Sequence, residues 1–283
     1  MAESATGVPG AVRADVWAIG DAYEPYVGRW SERVAAELLD CLAAPPGLRW
    51  LDVGSGTGAL TRTILHRATP REVVGIDASE GYVAYARARI GDGPVTFRVG
   101  DAQRLPFAAD EFDVAVSGLV LNFVPDKSAM ISEMARVTRP GGRVAVYVWD
   151  YADGMELMRR FWDAAVELDA AAAELDEGRR FPITRPEPLR DLAGGAGLDA
   201  VQVRALDVPT VFASFDDYWS PFLGGQGPAP GYCTSLPEDR RMALRERIRT
   251  RLPTRPDGTI ALTARAWAVM GLVGVQAGPA ARA

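Results

Sequence analysis

Between residues 48 and 149 the sequence alternates short apolar runs with amphipathic stretches, and this rhythm limits the folds open to it. The apolar runs lie at 48–53, 72–77, 94–101, 112–118 and 143–150, and the amphipathic stretches lie at 58–68, 79–90 and 126–139. Strands that are apolar on both faces are typical of a buried parallel sheet, because helices cover both of its sides. The alternation therefore predicts a doubly wound α/β sheet.

The regions that flank this alternation add helices and two more strands. Residues 31–42 have the pattern of a helix, whereas residues 200–208 and 258–273 have the pattern of strands. Two further segments, 154–178 and 214–253, are helical and interrupt the strand rhythm. We expect these two segments to leave the sheet on the side of its carboxyl ends, where ligands bind in such folds.

Charge and rare residues exclude several classes of protein. The 37 acidic and 31 basic residues give a formal net charge of −6, which argues against a nucleic-acid binder. Cys41 and Cys233 are too few for a disulfide framework or a zinc site, and the only histidine, His66, is expected to be structural. With no signal-peptide pattern and no apolar run long enough to span a membrane, we expect a cytoplasmic protein without a metal.

The stretch LDVGSGTGAL, residues 51–60, places three glycines after the first strand in a G-x-G-x-G spacing. A phosphate-binding loop would end in Gly-Lys-Ser or Gly-Lys-Thr, and a dinucleotide loop has the spacing G-x-G-x-x-G. Asp77 ends the second strand, where a carboxylate can accept both hydroxyls of a ribose, although it could instead be a structural helix cap. Asp101 ends the third strand, where an acid can accept from an adenine amino group.

Five segments together resemble the class I S-adenosylmethionine (SAM)-dependent methyltransferases, in particular the small-molecule group similar to the ubiquinone and menaquinone biosynthesis enzymes. They are LDVGSGTGAL, VVGIDAS, GDAQRLPF, FDVAVSGLVLNFVPD and RVTRPGGRVAVYVW. The resemblance covers about residues 20–150. It implies a Rossmann-like sheet of seven strands, mostly parallel with the last antiparallel, carrying helical cap insertions. It also implies SAM as the cofactor and methyl transfer in small-molecule metabolism as the activity.

This resemblance divides the chain into six parts. They are an N-terminal lid at 1–30, a SAM-binding core at 31–150, a first helical cap insertion at 151–185, a return to the core at 186–212, a second cap insertion at 213–256, and the last core strand and tail at 257–283.

The resemblance also assigns residues to the cofactor. They are Tyr23, Arg29, Asp52, Gly54, Ser55, Gly56, Gly58, Asp77, Ala78, Ser79, Tyr82, Asp101, Ala102, Gln103, Ser117 and Leu119. In the expected lid, Arg29 would pair with the methionine carboxylate, while Tyr23 and Tyr26 would close over the methyl group. The alternative is that these lid aromatics only pack the first helix on the sheet.

The residues expected to contact the methyl acceptor are aromatic or polar. They are Tyr26, Asn122, Trp149, Phe161, Trp162, Tyr218 and Trp219. The alternative for the aromatics of the insertions is that they form the core of the cap itself. Asn122 stands where many relatives carry histidine, so no catalytic base is assigned.

Methyl transfer from a sulfonium is an in-line displacement that mostly needs alignment and exclusion of water. We therefore expect methylation of a small, apolar molecule at oxygen, nitrogen or carbon, with no nucleic-acid partner. Two alternatives stay open, a non-catalytic SAM-binding protein and an NAD-linked oxidoreductase. The sequence does not indicate an oligomeric state.

Overall fold

The computed structural model describes residues 28–224 and 227–274. The predicted lid residues Tyr23 and Tyr26 lie outside the described residues, as does the end of the predicted tail, 275–283.

Seven strands form one sheet, and their positions follow the apolar runs of the sequence. They are β1 (Arg49–Val53), β2 (Glu72–Asp77), β3 (Val95–Val99), β4 (Phe112–Gly118), β5 (Thr138–Trp149), β6 (Leu198–Phe212) and β7 (Ile260–Val273). The order across the sheet is β3-β2-β1-β4-β5-β7-β6. Strands β1 to β5 run parallel, and β7 runs antiparallel to both of its neighbours. The predicted sheet, with its antiparallel last strand, is confirmed.

Helices connect the strands and fill the insertions. They are α1 (Arg29–Leu42), α2 (Ala59–Arg67), α3 (Glu80–Ile90), α4 (Lys127–Val137), α5 (Glu156–Leu168), α6 (Glu177–Arg180), α7 (Pro186–Gly195), α8 (Phe215–Trp219), α9 (Pro228–Ser235) and α10 (Glu238–Arg249). Short 3₁₀ turns occupy Leu121–Phe123, Ala170–Glu174, Pro182–Thr184 and Ser220–Leu223. Within residues 28–224 and 227–274, no helix has both the length and the apolar character needed to cross a bilayer.

Successive residues of each inner strand are buried on opposite faces of the sheet. Trp50 packs in the apolar cluster that contains α1 and α2, whereas Leu51 packs in the cluster that contains α4 and α7. Both side chains have no exposed surface. Burial on both sides explains why the strands are apolar without alternation.

Several element boundaries differ from those predicted, among them the end of α4 and the end of β6. Helix α4 ends at Val137 rather than at the predicted Pro140-Gly141-Gly142, because Thr138 takes an extended conformation and its hydroxyl donates to the carbonyl of Met134 at 2.7 Å. Strand β6 continues through Pro209 to Phe212, four residues beyond its predicted end at 208. Proline is tolerated there because β6 is an edge strand, whose outer side needs no N–H donor.

Four aromatic residues of the two insertions pack in a shared core and do not line the cavity at the glycine loop. Phe161, Trp162, Tyr218 and Trp219 are at most 5% exposed and belong to the same apolar cluster as Trp50. The ring of Phe161 stacks on Phe222 with centroids 4.5 Å apart, and the Tyr218 hydroxyl donates to the carbonyl of Leu157 at 3.0 Å. These contacts favour the alternative that the rings form the core of the cap, because each insertion packs its rings on the other; a contact with the acceptor stays a prediction.

The stacked pair between the insertions predicts a large effect on stability. Phe161→Ala should lower the free energy of unfolding by about 3–5 kcal/mol, the usual cost of removing a buried phenyl ring. The matched control is Leu223→Ala in the second insertion, where the side chain is 48% exposed and the expected change is within about 0.5 kcal/mol. Urea unfolding followed by circular dichroism measures both changes. Equal stability of the two variants would contradict the packing described.

Candidate active site

The glycine loop between β1 and α2 has backbone conformations that favour glycine. The φ angles of Gly54, Gly56 and Gly58 are +73°, +52° and +88°. A Cβ atom on Gly54 would lie 2.6 Å from Val120, and one on Gly58 would lie 2.3 Å from Ile90. A Cβ on Gly56 would meet no atom within 4 Å. The first and third glycines therefore allow close packing, whereas the second exposes bare backbone to open space.

The carboxylate of Asp77 joins this loop to the end of β2. One of its oxygens accepts from the N–H of Gly56 at 2.9 Å, and the other accepts from the N–H of Ser79 at 2.8 Å. Ser79 in turn caps α3, since its hydroxyl accepts from the N–H of Tyr82. Burial raises the pKa of Asp77, and the two N–H donors oppose that shift. Each carboxylate oxygen has a second lone pair, so Asp77 can fix the loop and still accept from a ligand hydroxyl.

Asp52, at the end of β1, is buried with one oxygen unpaired. Its Oδ2 accepts from the hydroxyl of Thr61 at 2.6 Å, whereas its Oδ1 has no partner among the described residues. Burial raises the pKa of Asp52 to about 7; the Thr61 hydrogen bond opposes the shift and the neighbouring Asp77 charge adds to it. A buried carboxylate oxygen without a donor is costly, which marks Asp52 as a place where a cationic or N–H-bearing ligand group fits.

A cavity of about 240 Å³ lies at the carboxyl ends of the strands, between the glycine loop and β5. Both carboxylates and the bare backbone of Gly56 face it. The predicted cofactor residues that line it are Asp52, Gly54, Ser55, Gly56, Asp77, Tyr82 and Leu119. Their donor set and open glycine backbone fit a nucleoside cofactor with a positively charged amino-acid end, although their role in binding stays a prediction.

One wall of the cavity is aromatic. Side chains that alternate along a strand share a face, and accordingly Tyr147, Trp149 and Tyr151 all line the cavity at the end of β5. Phe123, the last residue of the 3₁₀ turn that follows β4, lines it as well. Of these four residues, sequence reasoning named only Trp149. The alternation Y-x-W-x-Y at 147–151 was the available signal for Tyr147 and Tyr151.

Other predicted site residues lie outside this lining. Asp101 is exposed, and its Oδ1 accepts from both the backbone N–H and the side-chain amide of Gln103, at 2.8 and 3.0 Å. Neither residue lines the cavity, and neither does Ala102. Ser117 and Asn122 are buried beneath the site, and the Ser117 hydroxyl and the Asn122 amide nitrogen have no partner among the described residues.

Arg29 does not line the cavity, and its expected pairing with the methionine carboxylate stays a prediction. Its Nη1 donates to Asp217 at 2.8 Å, and its guanidinium lies 4.5 Å from the ring centroid of Trp30 and 5.2 Å from that of Phe212. Arg29 points away from the cavity as part of the first turn of α1, which begins at Arg29, two residues before the predicted start. Residues two apart on a helix point about 200° from one another, so Ser31 lines the cavity while Arg29 faces the second insertion.

The fold places a glycine loop, two carboxylates and an aromatic wall around one cavity. A family model described as a methyltransferase domain matches residues 51–146. A ubiquinone/menaquinone biosynthesis C-methyltransferase UbiE of Desulfotalea psychrophila is 30% identical over 199 residues, which is 65% of this chain and 77% of that protein. A 2-methyl-6-phytyl-1,4-hydroquinone methyltransferase of Synechocystis is 32% identical over 186 residues, which is 65% of this chain and 57% of that protein.

Among solved structures, YcgJ of Bacillus subtilis has a TM-score of 0.58 at 18% identity, covering 86% of this chain and 99% of that one. The chain belongs to the class I SAM-dependent methyltransferases, in the UbiE-like group, whose cofactor is SAM. It spans about half the length of the first curated relatives that it matches, 48% in a 140-residue alignment.

The two hydrogen bonds of Asp77 predict a specific loss of cofactor affinity. Asp77→Ala should weaken SAM binding by about 10- to 100-fold, because hydrogen bonds to charged groups contribute about 1.5–3 kcal/mol each. Asp92→Ala, at an exposed loop position before β3, is the matched control and should leave SAM binding unchanged. Calorimetry measures both affinities, and thermal unfolding checks that the variants fold. Unchanged affinity in folded Asp77→Ala would assign Asp77 a purely structural role.

The raised pKa of Asp52 predicts a pH dependence of binding. A cationic ligand favours the ionised carboxylate, and the ionised fraction grows as the pH rises towards a pKa of about 7. SAM affinity should therefore rise roughly tenfold between pH 5.5 and pH 7.0, since the ionised fraction changes about tenfold per pH unit below the pKa. Asp52→Asn should flatten this dependence. An equally steep dependence in Asp52→Asn would show that another group titrates.

Proposed function

We propose that the protein transfers the methyl group of SAM to a small apolar molecule bound in the aromatic part of the same cavity. The observation that carries the proposal is that one cavity joins the glycine loop and Asp77 to the wall formed by Tyr147, Trp149 and Tyr151. A cofactor held at the first set of residues would present its reactive end towards the second. Alignment in a water-poor cavity is the main requirement for displacement at a sulfonium methyl group.

The charges of the lining support a cationic cofactor and an uncharged acceptor. Asp52 and Asp77 are its only carboxyl side chains within the described ranges, and the lining there has no lysine, arginine or histidine. Aromatic faces also attract cations, through the negative faces of their rings. An acceptor bearing a carboxylate or a phosphate would meet repulsion without a compensating base.

The printed names of two relatives, the ubiquinone/menaquinone C-methyltransferase and the hydroquinone methyltransferase, favour an electron-rich aromatic ring as the acceptor. The aromatic wall of the cavity, formed by Phe123, Tyr147, Trp149 and Tyr151, would stack against such a ring. Methylation at carbon is therefore our first candidate, with oxygen and nitrogen as the alternatives. No residue is assigned as a base.

We propose that the insertions, bounded at 151–185 and 213–256, form a cap over the core at 31–150. Their shared aromatic core supports this division, since Phe161 of the first stacks on Phe222 of the second.

The proposal predicts labelled product from methyl-tritiated SAM and a panel of uncharged hydroquinones. Phe123→Ala should lower kcat/KM for the acceptor at least about tenfold, as expected for the loss of a pocket contact, with the dissociation constant of SAM changed less than about threefold. Leu175→Ala, at a 38% exposed side chain of the first insertion, is the control and should behave as the wild type. A protein that binds SAM but labels none of these acceptors would favour the non-catalytic alternative.

A further inference from the structure

Phe181 connects two rings of the cavity wall without lining the cavity itself. Its ring meets Phe123 edge to face with centroids 5.5 Å apart, and it meets Tyr151 at 6.1 Å. Phe123 both lines the cavity and is 36% exposed, so it lies where the cavity approaches solvent. We call Phe123, Tyr151 and Phe181 the rim cluster. It joins the loop after β4, the end of β5 and the first insertion.

A buried arginine fixes the segment that carries Phe181. Arg159 of α5 donates two hydrogen bonds to the carboxylate of Asp176, at 3.0 and 2.8 Å, and a third to the carbonyl of Tyr151 at 3.0 Å. The side chains of Arg159 and Asp176 are 14% and 8% exposed. Asp176 also caps α6 by accepting from the N–H of Gly178. Bidentate pairs of this kind restrict geometry, so Arg159 ties the backbone at Tyr151 to the start of α6, the short helix that precedes Phe181.

We propose that Phe181 is a positioning residue that limits the size of the acceptor. The inference rests on the proposed function, since it concerns the acceptor part of the same cavity. With Phe181 in place, Phe123 and Tyr151 cannot move apart without breaking one of its two ring contacts. Without its ring, Phe123 loses its support and the cavity can extend into the first insertion. Phe181 therefore acts on ligands through Phe123 and Tyr151.

The test uses Nile red, an uncharged apolar dye that is large relative to a cavity of about 240 Å³. The protein is saturated with S-adenosylhomocysteine, and dye affinity is measured by fluorescence titration. Phe181→Ala should raise that affinity at least about threefold, and Phe181→Leu should raise it less. The matched control Leu175→Ala should leave it unchanged. Phe181 is only half-buried, and thermal unfolding checks that each variant folds.

A double-mutant cycle separates positioning from a general loosening of the fold. If Phe181 acts through Phe123, the effect of Phe181→Ala should largely disappear in a Phe123→Ala background, because contacting residues are not additive. An additive effect of the two substitutions would overturn the proposal. Equal dye affinity of Phe181→Ala and the wild type would overturn it as well, and so would the absence of detectable dye binding to either protein. Binding of S-adenosylhomocysteine is measured separately by calorimetry, so a failure of the cofactor site itself is distinguishable from a failure at Phe181.

Discussion

The attachment of the glycine loop to the end of β2 is the constraint on which the site depends. The carbonyl of Ile76 accepts from the N–H groups of Gly54 and Ser55, at 2.7 and 3.0 Å, and Asp77 accepts from that of Gly56. A loop with three positive φ angles has little conformational preference of its own. These hydrogen bonds across neighbouring parallel strands convert it into a fixed surface. The register of β1 on β2 thereby sets the position of the bare backbone at Gly56.

The second level of organisation is the packing of the insertions on the sheet and on α1. Arg29 pairs with Asp217 of α8, and its guanidinium hydrogen bond holds the pKa of that carboxyl below its usual value. Both groups are about 30% exposed, so the pair itself contributes modestly to stability. Its position matters more, because it orients the first turn of α1 so that Ser31 reaches the cavity.

The sheet could be predicted because its strands and crossovers are determined by local patterns. The runs at 72–77 and 112–118 match β2 and β4 at both ends, and Asp126 caps α4 as its position indicated. The glycine loop and Asp77 could also be placed at one edge of the sheet, since parallel strands bring their carboxyl ends together. The rest depends on tertiary contacts. The amphipathic pattern of α5 places Phe161 on its apolar face, but a pattern does not tell whether that face meets a ligand or another ring.

The same limit explains why Tyr147 and Tyr151 were missed. Their alternation with Trp149 was visible, but it lies in a strand buried on both faces, where periodicity does not tell which face meets the cavity. The direction of Arg29 depended on where α1 begins, and helix starts are uncertain by a residue or two. Residues two apart on a helix point about 200° from one another, so an error of two residues in the position of a helix places a side chain on the opposite face.

The two carboxylates of the cavity also bear on how a catalytic cycle would end. Methyl transfer converts a sulfonium into a neutral thioether, so the spent cofactor carries one positive charge less than the fresh one. Asp52 and Asp77 are the only carboxyl groups of the described lining. The lost charge would therefore weaken their electrostatic attraction for the spent cofactor relative to the fresh one. The electrostatic part of cofactor binding at these two acidic residues would thus favour the fresh cofactor over the spent one.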